Sequence, residues 1–282
     1  MKFQKIKKII NKPKRIINYL RNRYAPITAE NPNNPKFTYS DFFVWRNDKD
    51  INTFFDLTPY IDLIVGNSSQ SKKSFRDIKL MIFTKKGDLF FENIFSIKSS
   101  KKQCLNLSEL ISSNEKNIEY GSFLIFHRDI PPQIYMNNGY LAERGYVSYS
   151  NKDSEIKSYM HGNLDAISSD FKSNGIKSFK YTKSTILNRK YFLQYLFNRE
   201  YIYNISLNNP SFKLKKITIN FLNKNGNFIE KKVLQIPSLG TEMIYLPKYK
   251  FDFYISLESK LPMLRPNIFK FKSNKLLDVF HG

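Results

Sequence analysis

Three histidines are the side chains of this chain best suited to acid–base or metal chemistry. His127 stands in FHRDIPP beside Arg128, His161 stands in SYMHGN before Asn163, and His281 precedes the last residue. If strands bring His127 and His161 together, two imidazoles and a carboxylate from Asp129 or Glu143 could form a metal site. A strand-end histidine that hydrogen-bonds to the backbone is the commoner arrangement, and we expect no metal.

The stretch LAERGYVSYS, residues 141–150, is the best ligand-facing segment of the sequence. Arg144 could hold a phosphate or carboxylate through two parallel hydrogen bonds, or it could form a salt bridge or cap a strand edge. The predicted ligand site consists of polar residues from this stretch and from the two histidine motifs: His127, Arg128, Glu143, Arg144, Tyr146, His161 and Asn163.

The motifs that bind nucleotides and catalytic zinc are absent from the sequence. There is no P-loop, dinucleotide fingerprint, zinc-protease helix or nucleophile elbow. No cofactor is therefore predicted, and the sequence leaves open whether the chain is an enzyme. Cys104 is the only cysteine, so no intrachain disulfide can form, which fits a reducing compartment. Its place in KKQCLNLSEL predicts a strand and a small core residue rather than a nucleophile.

Composition favours a β protein with polyanionic partners. The 282 residues are 41% hydrophobic and 16% aromatic, which is enough to bury cores and favours strands. A formal charge of +22 favours nucleic acid, phosphorylated molecules or an anionic membrane surface. Abundant Lys, Ile and Asn also occur in proteins from AT-rich genomes, so composition alone could account for the charge outside the N-terminus. No apolar run is long enough to span a bilayer, and no secretory signal is predicted.

The N-terminal segment is basic and amphipathic. Its first 26 residues contain nine Lys or Arg and no acid, and apolar residues recur at helical spacing with a break at Pro13. Such a helix could lie on an anionic membrane, pack on the protein's own body, or form a nucleic-acid arm. The residues predicted to contact the membrane are Lys5, Lys8, Lys12, Lys14, Arg15, Ile16 and Ile17.

Residues 5–24, KIKKIINKPKRIINYLRNRY, resemble the N-terminal segments of bacterial capsule and lipopolysaccharide biosynthesis proteins. Those segments are Lys-rich and amphipathic, with a Lys-Pro-Lys break and then an apolar or aromatic pair. The resemblance implies an association with surface-polysaccharide assembly at the inner membrane face, and no particular activity. It predicts a cytoplasmic protein that is peripheral on the inner membrane face.

Two stretches of alternating apolar residues align without gaps, which predicts a tandem repeat. Residues 78–107 and 217–246 each run through a strand, a Lys/Asn/Gly turn and a second strand. Gly87 and Gly226 fall at the two turns, and His161-Gly162 recurs at the chain end as His281-Gly282. The recurrence favours a structural role for the His-Gly pairs, because Leu257 stands where the first unit has His127.

The predicted fold class is all-β, with two tandem related β-sandwich units after a short basic helix. The boundaries are 1–35 for the basic segment, 36–165 for the first unit and 166–282 for the second. Residues 201–246 also resemble bacterial immunoglobulin-like or transducer-like β-sandwich domains, which implies a fold and no activity. The polar residues after 162 could be a linker, and the core prediction includes Phe42, Trp45 and Phe54.

The leading hypothesis is a non-catalytic binding or accessory protein for surface-polysaccharide biosynthesis. Its partners would be an anionic membrane surface or a protein, with a glycan or phosphorylated sugar as a further ligand. The alternative is an enzyme for a phosphorylated or sugar-linked substrate, with its site in the first unit. Nucleic-acid binding ranks below both, because the basic residues are spread along the chain and no reader motif is present.

Overall fold

The computed structural model describes residues 38–48, 50–57, 75–98, 103–114, 119–127, 145–162, 165–168, 178–179, 187–261 and 265–282. The basic N-terminal segment and its predicted membrane contacts lie outside these residues. Within them strands are the dominant element and form four antiparallel sheets, so the all-β prediction is confirmed.

The first unit is a sandwich of two sheets, and its described residues include one short helix between strands. The central strands of the larger sheet are buried on both faces, which is typical of a sheet covered on both sides. The elements are β1 Thr38–Arg46, β2 Ile51–Leu57, β3 Phe75–Thr84, β4 Leu89–Lys98, β5 Gln103–Asn106, α1 Leu107–Asn114, β6 Tyr120–His127, β7 Tyr146–Asn151 and β8 Ser158–Met160. Two further strands, β9 Asp165–Ser168 and β10 Ser178–Phe179, extend the sheet of β1, where the sequence had indicated a linker.

The second unit is a sandwich of eight strands. Its first strand in the described residues begins at Arg189. The strands are β11 Arg189–Phe192, β12 Ile202–Asn208, β13 Lys215–Asn223, β14 Phe228–Ile236, β15 Thr241–Tyr245, β16 Phe253–Ser259, β17 Asn267–Lys272 and β18 Lys275–His281.

The two units have the same strand order. In the first unit one sheet contains β1-β6-β3-β4 and the other β5-β2-β7-β8. In the second unit the sheets are β11-β16-β13-β14 and β15-β12-β17-β18, so these eight strands of the first unit each have a counterpart, whereas β9 and β10 have none among the described residues. The antiparallel register also matches, because Ile78 pairs with Phe95 as Ile217 pairs with Leu234.

The two central hairpins share their irregularities as well as their strands. The register shifts after Ile82 in the first hairpin and after Phe221 in the second. Gly87 and Gly226 both have positive φ, +87° and +82°, which glycine adopts without the steric penalty of a side chain. In the first turn, the Gly87 N–H donates to the Thr84 carbonyl at 2.9 Å, and in the second the Gly226 bond is 2.8 Å long.

The helix and one core position in the first unit differ from the sequence-based interpretation. Leu107 was aligned with Leu246, and each directly follows its strand, β5 or β15, but Leu107 also begins α1, which was not predicted and which buries Leu107 and Ile111 in the core. Trp45 and Phe42 are fully buried, as predicted, whereas Phe54 is only half-buried. Phe54 alternates with Phe55, which faces the core, so Phe54 lies on the outer side of its sheet beneath the ammonium of Lys157.

The units are joined by a buried interface. One face of sheet β15-β12-β17-β18 covers the core of its own unit, and the other packs against the core of the first unit. The Phe269 ring contacts the Tyr149 ring edge-on, with the centroids 5.0 Å apart. The Arg46 guanidinium lies 5.1 Å from the Phe269 ring and donates to Asp48 at 2.5 Å. In the amide orientation that satisfies both groups, Asn204 accepts from Arg46 at 3.0 and 3.1 Å.

Candidate functional site

The structure separates His127 from Tyr146 and His161, the other predicted site residues that it describes. His127 ends β6 in the larger sheet and pairs with Ile78, whereas Tyr146 begins β7 in the opposite sheet of the same unit. His161 directly follows β8, and because Met160 pairs with Val147, His161 lies beside Tyr146 at the end of these strands. The other predicted site residues lie outside the described residues: Arg128, Glu143, Arg144 and Asn163.

His161 meets its counterpart from the second unit rather than His127. The rings of His161 and His281 lie 4.8 Å apart, and His281 Nε2 donates to the His161 carbonyl oxygen at 3.1 Å. Burial, assisted by the positive charge of Arg265, lowers the pKa of His281 to about 4. A neutral His281 whose Nε2 already donates a hydrogen bond therefore acts as a structural contact between the units.

The glycines after these histidines make close contacts that a side chain would prevent. A Cβ on Gly162 would lie 2.1 Å from the Cβ of Asp41, in β1. A Cβ on Gly282 would lie 2.9 Å from the Leu193 side chain, directly after β11. β1 and β11 are the first strands of the two units and occupy equivalent places. In each unit, the glycine after the histidine therefore allows the chain that follows the last strand of one sheet to approach the first strand of the other sheet.

The register corrects one sequence alignment. His127 pairs with Ile78, and the counterpart of Ile78 is Ile217, which pairs with Ser259. The residue of the second unit at the His127 position is therefore Ser259, and not Leu257 as the sequence alignment had it.

Cys104 lies in a strand as predicted but is exposed, so the prediction of a core residue is wrong. Its Sγ lies 3.5 Å from the Lys157 ammonium. Burial of part of the thiol and the neighbouring Asp56 carboxylate raise the pKa of Cys104, although Lys157 opposes them. A raised pKa keeps the thiol protonated at neutral pH, which is unfavourable for a nucleophile.

The outer face of sheet β11-β16-β13-β14 is largely polar and borders a cavity. Its inner positions, such as Ile217 and Ile219, are buried, so the alternate residues point outward. Strand pairing arranges the outward residues in rows across the sheet. We call this surface the outer face, and its residues are Asn188, Lys190, Phe192, Lys216, Thr218, Asn220, Lys231, Val233, Ser256, Glu258 and Lys260.

One end of the outer face is a cavity of about 450 Å³. Three lysines dominate its lining, and a single carboxylate, Glu258, lies among them. Lys216 and Lys260 are exposed, whereas Lys215 is 7% exposed at the start of β13. The complete lining is Asn188, Leu214, Lys215, Lys216, Thr218, Glu258 and Lys260.

A buried asparagine positions the loop at the edge of this cavity. The Asn209 amide donates to the carbonyl oxygens of Lys213, Ile236 and Pro237 at 2.8 to 2.9 Å. The Ser211 hydroxyl donates to the same Lys213 carbonyl at 2.9 Å. These bonds hold residues 209–214 against the end of β14, so the lysines after the loop lie in a preformed arrangement.

The lysines of the cavity repel one another. Burial lowers the pKa of Lys215, and the positive charges of Lys213 and Lys260 lower it further. A bound anion would reduce this repulsion, because an opposite charge nearby favours the charged form of an amine. The cavity is therefore electrostatically suited to a carboxylate or phosphate.

The equivalent face of the first unit is buried along its two central strands. Lys79, Met81, Leu124 and Phe126 occupy its outward positions on β3 and β6, and each is at most 3% exposed. Lys79 forms an ion pair with Glu92. The two sheets therefore differ in what covers their outward faces. The outward residues are mostly apolar and buried in the first unit, whereas in the second unit they are mostly polar and at least partly exposed.

Sequence reasoning missed this site, although one signal was present. Lys216, Thr218 and Asn220 alternate with the apolar residues of β13, which is typical of a sheet face in contact with water. In the first unit, Met81 stands at the position of Asn220. That contrast within the aligned repeat indicated which unit has a polar outer face.

No family model and no curated protein matches this chain. Among solved structures it is similar to a β-glucuronidase of glycoside hydrolase family 2, with 12% identity, a TM-score of 0.15, and coverage of 87% of this chain and 23% of that one. A second is the Bacteroides uniformis β-glucuronidase, with 9% identity, a TM-score of 0.13, and coverage of 85% and 25%. The chain thus spans about a quarter of the length of these structures. Similarity this low does not indicate a function.

Proposed function

We propose that this chain is a non-catalytic binding protein that holds an anionic ligand in the cavity of its second unit. The observation that carries the proposal is the clustering of Lys215, Lys216 and Lys260 around one cavity of about 450 Å³. Charge-assisted hydrogen bonds from ammonium groups to carboxylate or phosphate oxygens are among the strongest polar contacts in proteins. The ligand class is an acidic or phosphorylated sugar.

The biological setting we propose is surface-polysaccharide biosynthesis at the cytoplasmic membrane face. It rests on the resemblance of residues 5–24 and on their basic, amphipathic pattern. Within the described part of the chain, no helix has the length and hydropathy that crossing a bilayer requires. Sedimentation of the full chain with vesicles rich in an anionic phospholipid tests this setting. Binding that salt abolishes is expected, and the absence of binding at low salt would contradict it.

We also propose that the two units arose by duplication of one immunoglobulin-like sandwich. The matching strand order, hairpin register and turn glycines support this. Under this proposal, one copy retained an exposed sheet face for binding while the other covered its equivalent face.

Replacement of the two exposed cavity lysines tests the binding function. Wild-type protein is titrated by calorimetry with inorganic pyrophosphate and with a hexasaccharide of galacturonic acid. The double variant Lys216→Gln/Lys260→Gln should bind both at least about tenfold more weakly, because each lost charge-assisted bond is worth roughly 1.5–3 kcal/mol.

The matched control is Lys224→Gln/Lys275→Gln, which removes the same charge from exposed positions outside the cavity. It should retain wild-type affinity for both ligands. Equal losses in the two double variants would show that only net charge matters, and the cavity would then not be the site.

A further inference from the structure

We infer that the ligand is a chain of acidic sugars that lies across the outer face, with Phe192 as a stacking platform for one sugar ring. This inference rests on the proposed function and specifies the ligand of the same site. It follows from what lies beside the cavity on the same sheet.

The outward side chains of this sheet form three rows, and the first row contains two of the cavity lysines. The register that pairs Ile217 with Ser259 places Lys216 beside Lys260 in the first row. The second row runs from Lys190 through Glu258 to Thr218 and Val233. The third row runs from Phe192 through Ser256 to Asn220 and Lys231. Rows lie about 7 Å apart, since alternate residues of a strand are separated by two residue rises.

An exposed aromatic ring stands at the far end of this path. Phe192 is 64% exposed at an outward position of the edge strand β11, opposite Ser256. The exposed face of a phenyl ring that borders water makes no apolar contact. The axial C–H groups of a pyranose can pack against such a face. Burial of part of this ring would strengthen the binding of a chain that extends beyond the cavity.

The polar groups between the cavity and Phe192 match a polyhydroxylated ligand. Glu258 lies 3.6 Å from the Lys190 ammonium and accepts from the Asn220 amide at 3.4 Å. The Asn220 amide also donates to the Ser256 hydroxyl at 3.4 Å. Carboxylate, amide and hydroxyl groups side by side can accept from and donate to sugar hydroxyls.

Glu258 favours a ligand that presents hydroxyl donors between its acidic groups. Beside Lys190 and Asn220, the Glu258 carboxylate can accept further hydrogen bonds, and sugar hydroxyls can donate them. Phosphodiester oxygens are acceptors only, so they would be repelled by Glu258. The lysines of the cavity then pair with the acidic groups of the sugar chain.

The experiment compares three ligands on the full chain at the same salt concentration: galacturonic acid hexasaccharide, inorganic pyrophosphate and a single-stranded DNA oligonucleotide. Phe192→Ala should weaken hexasaccharide binding about fivefold, as expected for loss of roughly half of a buried phenyl contact, and leave pyrophosphate binding unchanged. The control is Leu277→Ala, which removes another exposed apolar side chain, 49% exposed, from the other sheet. It should leave binding of all three ligands unchanged.

Glu258→Gln provides the second arm. Loss of the carboxylate removes a charge-assisted acceptor for hydroxyls, so the ratio of hexasaccharide to DNA affinity should fall about tenfold. An unchanged or increased ratio would overturn the inference, as would hexasaccharide binding that is insensitive to Phe192→Ala. Tighter wild-type binding of DNA than of hexasaccharide would likewise assign the face to nucleic acid.

Failure of the inference and failure of the proposed function give different results. If Lys216→Gln/Lys260→Gln retains both pyrophosphate and hexasaccharide binding, the cavity is not the site and both proposals fail. If this double variant loses both ligands while Phe192→Ala changes neither, the anion site stands. Only the extended sugar chain would then be refuted.

Discussion

Variants at the two turn glycines form a matched pair that measures how much the interface between the units contributes to the free energy of unfolding. Gly87 and Gly226 occupy the same turn position, with φ of +87° and +82°. A Cβ on Gly226 would have nothing within 4 Å, whereas a Cβ on Gly87 would lie 1.9 Å from the Ser238 carbonyl oxygen of the other unit. Alanine at either position therefore imposes the same backbone strain, but only Gly87→Ala also creates a steric conflict with the other unit.

The expected magnitudes follow from these contacts. Positive φ costs an alanine roughly 1–2 kcal/mol, so Gly226→Ala should reduce the free energy of unfolding by that amount. Gly87→Ala adds the displacement of residues 238–241, where Thr241 N–H donates to the Lys85 carbonyl at 3.0 Å. The Ser122 hydroxyl donates to the carbonyl of Leu239 at 3.0 Å in the same junction. With about 1 kcal/mol for each hydrogen bond, Gly87→Ala should cost about 2 kcal/mol more.

Urea denaturation followed by tryptophan fluorescence measures this difference. Trp45 is the only tryptophan and is fully buried in the first unit, where its indole N–H donates to the Phe83 carbonyl at 3.0 Å. Wild-type protein should unfold in one transition, because the buried interface couples the units. Equal destabilisation by Gly87→Ala and Gly226→Ala would refute the argument that this turn contact stabilises the interface.

Two other predictions concern the same interface. Arg46→Met should reduce the free energy of unfolding by about 3 kcal/mol, because it leaves the partners of a buried guanidinium unpaired. The control is Lys190→Met, at an ion pair outside the interface whose lysine side chain is 72% exposed, and it should reduce the free energy of unfolding by at most about 1 kcal/mol in the same urea titration. Equal destabilisation by Arg46→Met and Lys190→Met would contradict the role of Arg46 in stabilising the interface. The pKa of His281 is lowered from 6.5 to about 4, so the unfolded state binds the extra proton between these values and stability rises with pH there. His281→Gln should lack this dependence, worth about 2–3 kcal/mol between pH 4 and 7, and an unchanged pH profile would contradict the burial of a neutral imidazole.

The hairpins were predictable because their signals are local. Alternation of Ile78, Leu80 and Ile82 with other residues defines a strand with one core face, and glycine at the turn satisfies a positive φ. Helix α1, which begins at Leu107, was not predicted. A short apolar run fits a buried helix and a strand equally well, so its pattern did not indicate a helix.

Side-chain exposure was less predictable than secondary structure. Cys104 and Phe54 were both predicted to be buried, and both lie on the outer side of their sheet. Each was assigned to the core by its residue type, although alternation with Phe55 indicated the opposite face for Phe54. The prediction that Trp45 is buried was confirmed, because exposing a large apolar ring that lies next to other core residues is unfavourable.

The sequence by itself determined the all-β class, the hairpin turns and the alternation that separates core from surface within each strand, since these depend on neighbours along the chain. Only the tertiary structure decided that His161 lies against His281, that Met81 is covered, and that Lys216 and Lys260 line one cavity. These contacts depend on strand order and on the packing of one unit against the other. Residues far apart in the chain meet there, and no local pattern specifies which ones they are.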